Sequence, residues 1–148
     1  MIYTAATKAA MKLMFDKHKD QVDKSGIPYV FHPWHVAENM PDETTTVVAL
    51  LHDVVEDTDV TISDLQKMGF SEAVTEALAL LTHEDGTDYF AYVKRLSVNP
   101  VARQVKLSDL RHNSDPDRLD YWSEKDRARI EKYRKAIDFL QNLSETDG

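Results

Sequence analysis

Apolar residues recur every three or four positions along almost the whole chain, and no convincing stretch alternates with a period of two. That spacing lines up side chains on one face of a helix and cannot build a half-buried strand. It therefore predicts an all-α fold. Ala5, Ala9, Leu13 and Met14 mark one face of a first helix ending near Gln21. After a loop at 23–28, a short helix is expected over about 33–40. Asp42 and Glu43 open a third, which passes through Val47, Val48, Leu50 and Leu51. Thr61 with Asp64 three residues on, and Ser71 before EAVTEALALL, have the chemistry of helix starts. Further helices are expected over 89–96, 100–112 and 123–143, the last with Ile130, Tyr133, Ile137 and Leu140 as its buried stripe. The 148 residues suit one domain with a real core, closed by a polar tail at about 144–148.

The formal net charge is −8, which argues against general nucleic-acid binding, because phosphate backbones require a basic face. A small anionic ligand remains compatible if a local basic patch or a bound cation receives it. Cysteine is absent, so any metal must be held by His, Asp or Glu. No apolar run is long enough to span a bilayer. The N-terminus lacks the basic head, apolar core and cleavage site of a secretion signal, so the cytoplasm is the expected compartment.

Against this background the word LLHDVVEDTD, residues 50–59, stands out. The C-terminal end of a helix carries partial negative charge, and gathering carboxylates there is locally unfavourable. Residues four apart nearly superimpose on a helix, so His52 lies over Glu56 and Asp53 over Asp57. A solvated helix end is the plain alternative. The plate follows VVALL directly, however, and burying unpaired anions is costly enough that a cation or partner is expected.

Two further segments can supply partners. In YVFHPWHVAENM, His32 stands right before Pro33 at a loop-to-helix junction, with His35 one turn on. In VKLSDLRHN, Asp109 falls beside Leu107 and Leu110, an awkward place for a carboxylate without a partner, and Asn113 shares its face. The plain reading of Asp109 is a salt bridge with Lys106 or Arg111. Together, His32, His52, Asp53 and Asp109 form a mixed nitrogen and oxygen set that suits Mn²⁺, Fe²⁺, Co²⁺ or Zn²⁺. Such an ion lowers the pKa of a water and neutralises a phosphoryl oxygen. Glu56 and Asp57, one turn beyond, are placed to orient or deprotonate that water.

The pattern His…His-Asp…Asp resembles the signature of the HD-domain phosphohydrolases, an all-helical superfamily. The longer words DKSGIPYVFHP, LLHDVVEDTD and VKLSDLRHN resemble the three hallmark segments of the Rel/Spo-type alarmone hydrolases, and the likeness runs from the first helix to about Asn113. The resemblance implies a stand-alone, Mn²⁺-dependent hydrolase that removes the 3′-pyrophosphate from guanosine tetra- or pentaphosphate. It makes His32, His52, Asp53 and Asp109 the metal ligands and Glu56 and Asp57 the catalytic carboxylates. Lys24 and Ser25 would border the base, Asn113 would help hold sugar or phosphate, and Lys106 would offer charge near the phosphates.

The chain departs from the family pattern in three places, one of them Thr82-His83-Glu84-Asp85 after Leu81. Asp23 stands where the family commonly has a basic residue before Lys-Ser-Gly. Asp-Leu-Arg-His-Asn replaces the usual Asp-Arg-Leu-His-Asn, which turns Arg111 about 100° from its expected direction. His35 and His112 are read as structural or supporting. Tyr89 and Tyr92 stand at helical spacing, with core packing expected for at least one. Two rival readings are hydrolysis of another nucleotide or phosphorylated metabolite, and a non-catalytic nucleotide-sensing module. The charged last helix also offers a surface for a homodimer, although a solvated face packed on its own core is preferred.

Overall fold

The computed structural model describes residues 1–147, with side chains to Leu143. It contains α1 (Ala5–His18), α2 (Phe31–Glu38), α3 (Glu43–Asp57), α4 (Ile62–Lys67), α5 (Glu72–Leu81), α6 (Tyr89–Leu96), α7 (Pro100–Asn113) and α8 (Glu124–Asp147). A single 3₁₀ turn, Pro116–Arg118, joins the last two. Among the described residues extended pairing is limited to one isolated bridge, Val22 with Pro28, which closes the loop where Gly26 takes a φ of 79°. The expected all-α class is the observed one.

Side-chain caps start most of these helices. Asp42 accepts from the Thr45 backbone at 2.8 Å to open α3. Thr61 and Asp64 form a reciprocal capping box on α4, and Ser71 caps α5, as their sequences suggest. Pro100 occupies the first turn of α7, where its missing N–H costs nothing.

The fold is organised around α3. Every residue from Thr45 to Val54 is buried, and the helix packs against α1, α2, α5 and α7. A helix that is buried all round is a core helix, so His52 and Asp53 are carried into the interior by the same element that fills it.

Several boundaries differ from the sequence reading. α1 ends at His18, not near Gln21, and it buries Thr7, Ala10, Met14 and His18 while Ala5 and Ala9 face solvent. Alanine's small methyl group fits either face, so it fixes no register. α2 begins at Phe31, two residues early, because Pro33 falls within the first turn and gives up no helical hydrogen bond there. His32 is therefore a helical residue. α8 runs to Asp147, so the tail expected at 144–148 continues the helix as far as the described residues extend. Its stripe buries Ile130 and Leu140, half-buries Tyr133 and Ile137, and adds Ala136. No helix among the described residues is long and apolar enough to cross a membrane.

Leu50 has no exposed surface at the centre of α3. Leu50→Ala is expected to destabilise the fold by about 2–5 kcal/mol through lost burial and the cavity left behind. Urea denaturation of the variant beside the parent chain measures this.

Candidate metal and phosphate site

The buried end of α3 meets the first turn of α2 and the middle of α7. There His32, His52 and Asp109 each present a ligand atom, and these atoms lie within 4.8 Å of one another. Asp53 joins them: its Oδ2 is 3.2 Å from His52 Nε2 and 3.6 Å from His32 Nε2. The structure thus brings together all four residues that the resemblance implied as ligands.

The hydrogen bonds around the cluster test whether a cation fits. His52 Nδ1 lies 2.6 Å from the Ala49 carbonyl, which can only accept, so Nδ1 carries a proton. In the neutral ring Nε2 is then a bare lone pair. That atom is buried, has no hydrogen-bond partner, and faces Asp53 Oδ2 at 3.2 Å and Asp109 Oδ1 at 3.4 Å. A lone pair directed at two carboxylates is tolerable only with positive charge between them, as a proton or a metal ion. His32 has the same character: Nε2 is 2.8 Å from Asp109 Oδ1, and Nδ1 is 2.7 Å from His112 Nδ1. The rings of His32 and His112 are within 9° of parallel at 4.9 Å between centres. At that separation the short contact is an edge-to-edge hydrogen bond. In the tautomer that carries its proton on Nδ1, His32 donates to His112 and leaves Nε2 for a metal, and the His35 ring stacks on His112 at 4.1 Å.

Charge follows from the same geometry. Burial would lower the His52 pKa, but Asp53 and Asp109 outweigh it and raise it well above the ordinary value. Burial pushes the Asp53 carboxyl up, and His52 overrides this and holds it at about 2. Asp109, likewise penalised by burial, is held well below the usual carboxylate range, chiefly by Lys106 and then by His32 and His52. His112 is kept neutral, its pKa pushed down to about 3 by burial and by Arg118, His32 and His35.

Glu56 and Asp57 sit one turn on at the exposed end of α3. Partial desolvation raises the Glu56 carboxyl; Lys106 pulls against this, and Asp53 and Asp57 push with it. Asp57 is raised by partial desolvation and by Asp53. Both can take a proton more readily than ordinary surface carboxylates.

The expected substrate contacts are differently engaged. Lys106 is nearly buried, 3.0 Å from Asp109 Oδ2 and 5.3 Å above the Tyr92 ring. Asn113 Nδ2 donates to Asp109 Oδ1 at 2.9 Å, so it steadies that carboxylate. Lys24 Nζ turns to Asp126 Oδ1 at 2.9 Å, and Ser25 Oγ donates to the Arg118 carbonyl at 2.7 Å. Arg111 points away, to Gln141 on α8, as its changed register implies. Tyr92 is core, its hydroxyl on the Leu81 carbonyl, while the Tyr89 ring carries Lys132 at 4.5 Å.

Four contributors escaped the sequence reading. Tyr29 donates to Asp53 Oδ2 at 2.6 Å, and His18 is fully buried against Tyr29. Arg118 and Asp126 anchor the loops at the site rim. Tyr29 follows Pro28 in one of the hallmark words, a signal that was available; Arg118 and Asp126 lie in a segment with no motif.

No family model matches the chain. In sequence it is 33% identical over 138 residues to a probable guanosine-3′,5′-bis(diphosphate) 3′-pyrophosphohydrolase of Synechocystis, covering 83% of this chain and 18% of that protein. It is 32% identical over 106 residues to the guanosine-3′,5′-bis(diphosphate) 3′-pyrophosphohydrolase of Aquifex aeolicus, covering 64% and 15%. A GTP pyrophosphokinase of Myxococcus xanthus is 35% identical over 130 residues, covering 76% and 17%. The chain therefore spans less than a fifth of the length of these curated relatives. Among solved structures, a metazoan ortholog of SpoT described as hydrolysing ppGpp superimposes with a TM-score of 0.77 at 25% identity, covering 95% of this chain and 88% of that one.

A raised His52 pKa means that the metal-free site holds a proton at neutral pH, which a metal must displace. Binding of a divalent metal ion is accordingly expected to release protons and to tighten as pH rises. Calorimetry in buffers of different ionisation enthalpy reads this directly, and proton uptake on binding would contradict it.

Proposed function

Because the chain is an HD-domain protein of the Rel/Spo type, we propose that it is a metal-dependent phosphohydrolase that removes the 3′-pyrophosphate from guanosine 3′,5′-bis(diphosphate). The observation that carries this reading is the buried lone pair of His52 facing two carboxylates, with Glu56 and Asp57 exposed one turn away. His32, His52, Asp53 and Asp109 would hold the ion, and we propose Mn²⁺. When bound, the ion supplies charge for a phosphoryl oxygen and acidifies a water.

The rest belongs to the chain's own side chains. Glu56, with its raised pKa, accepts a proton from the attacking water as that water's oxygen bonds to the phosphorus on the 3′ oxygen. Asp57 orients the water. The bond from phosphorus to the 3′ oxygen breaks, that oxygen takes up a proton, and pyrophosphate departs from guanosine 5′-diphosphate. Asn113 and Tyr29 keep Asp109 and Asp53 from rotating out of the cluster. Lys106 lies beside Asp109 and Tyr92 and gives the adjoining space positive charge.

Mn²⁺-loaded protein is expected to release pyrophosphate from guanosine tetraphosphate, and His52→Ala to abolish release. A panel of other nucleotides checks the preference for a 3′-pyrophosphate. Glu56→Gln should lower kcat about 10²- to 10⁴-fold, the range for loss of a general base, with Mn²⁺ occupancy retained. Since Glu56 must be ionised to accept a proton, kcat/KM should fall with decreasing pH through a pKa above the ordinary glutamate value of 4.5. Undiminished turnover in Glu56→Gln would remove Glu56 from this role.

A further inference from the structure

α1 and the start of α2 leave a groove of about 730 Å³ between them, lined by Met11, Met14, Phe15, Val30, Phe31 and Trp34. Phe15 and Phe31 keep 57% and 58% of their surface in solvent. A single exposed apolar side chain is ordinary, but two phenyl rings on one apolar groove mark a surface that gains by being covered. The rim of the groove is basic. Lys12 and Lys19 line it with one carboxylate, Asp16, which lies 3.6 Å from Lys19. Lys12 makes no ion pair among the described residues, and Lys8 stands exposed one turn before it.

The chain carries the complement of that groove on a neighbouring segment. Residues 115–124, DPDRLDYWSE, hold Asp115, Asp117, Asp120 and Glu124 against one cation, Arg118. Arg118 turns inward to Asp23 at 3.6 Å. Asp117, Asp120 and Glu124 are exposed and make no ion pair among the described residues. Beside them Tyr121 is 84% exposed, more than any other large apolar side chain described, and Trp122 is 38% exposed. An acidic segment with protruding aromatic rings matches a basic, aromatic-lined groove in both charge and polarity. The two patches are adjacent. Phe31 and Trp34, which line the groove, also line a cleft of about 500 Å³ whose wall includes Asp117 and Asp120. Complementary patches side by side on one face satisfy each other twice when a second copy is turned by a half rotation about an axis between them.

We propose that this face is the interface of a two-fold homodimer, in which the groove between α1 and α2 of each protomer receives the segment at 119–124 of the other. Tyr121 and Trp122 supply apolar surface to the groove, and Lys12 meets Asp120 across each of the two equivalent contacts. A second copy is the occupant because groove and complement stand on the same chain, side by side. The dimer does not depend on the reaction proposed at the ligand cluster, and it leaves the charged outer face of α8 in solvent.

Sedimentation velocity of the full chain at about 1 to 100 µM, the weak end of the range for ordinary interfaces, is expected to show a dimer. Phe15→Ser and Tyr121→Ser each remove one exposed ring and should raise the dissociation constant about tenfold or more, the scale of losing an aromatic anchor. Lys12→Glu and Asp120→Lys each set like charges against one another in both contacts and should weaken the dimer similarly. An equimolar mixture of these two charge variants restores opposite charges at one contact and keeps the native pair at the other. The mixture should therefore dimerise as the parent does, although neither variant does so alone, a recovery that misfolding cannot produce. Thermal melts followed by circular dichroism establish that each variant is folded. A parent that stays monomeric at about 100 µM, a dimer indifferent to Phe15→Ser and Tyr121→Ser, or a mixture no stronger than its components would overturn the interface. So would a dimer that these variants leave intact but Lys135→Glu, on the exposed face of α8, dissociates.

Discussion

The site depends on one unfavourable contact: the Nε2 lone pair of His52 held inside the protein against the carboxylates of Asp53 and Asp109. The Ala49 carbonyl makes the contact unavoidable by occupying the ring's other nitrogen. An isolated buried charge is expensive, and a cluster of anions more so. The fold tolerates the arrangement because Lys106, Tyr29 and Asn113 each satisfy a carboxylate oxygen, and because a positive species at the centre turns repulsion into coordination. In the metal-free chain a proton on His52 fills that role.

Placing this cluster at the end of α3 ties stability to chemistry. The residues just before His52 are fully buried aliphatics, so the helix is locked along its length and the imidazole inherits that rigidity. Glu56 and Asp57 lie beyond the locked portion and meet solvent. One helix therefore holds the proposed ligands at its buried end and the proposed proton acceptors, Glu56 and Asp57, at its open end, a single turn apart. A site built on a packed helix is positioned more closely than one assembled on loops.

The sequence revealed this helix and its buried polar end well, because His52 and Asp53 violate the apolar pattern directly after a buried run. His32 and Asp109 were legible for the same reason: each is a polar residue on an apolar face. The first helix was misread where alanines carried the argument, since Ala5 and Ala9 pack equally well on either face while the polar Thr7 and His18 are the buried residues. Lys24, Ser25 and Asn113 were expected to face the substrate, yet their polar atoms are engaged with Asp126, Arg118 and Asp109. Sequence spacing places a residue near a site, but which acceptor a flexible side chain chooses depends on partners from distant segments. Asp126 is 102 residues from Lys24, and Arg118 is 93 from Ser25.

The same pairing explains how a chain of net charge −8 could receive the proposed polyanionic nucleotide. The cations around the site are matched to carboxylates: Lys106 to Asp109, Arg118 to Asp23, and both Lys24 and Arg129 to Asp126. Their positive charge is held in fixed places without adding a basic face that would attract nucleic acid. Lys106 and a divalent ion compete for the charge of one carboxylate, Asp109. The more of that charge an ion takes up, the weaker the lysine's tether becomes, and the more of its own charge is available to a phosphate entering beside it. Positive potential in the cleft is then greatest when the ligand cluster is filled, and electrostatics alone couple the state of the cluster to anion affinity.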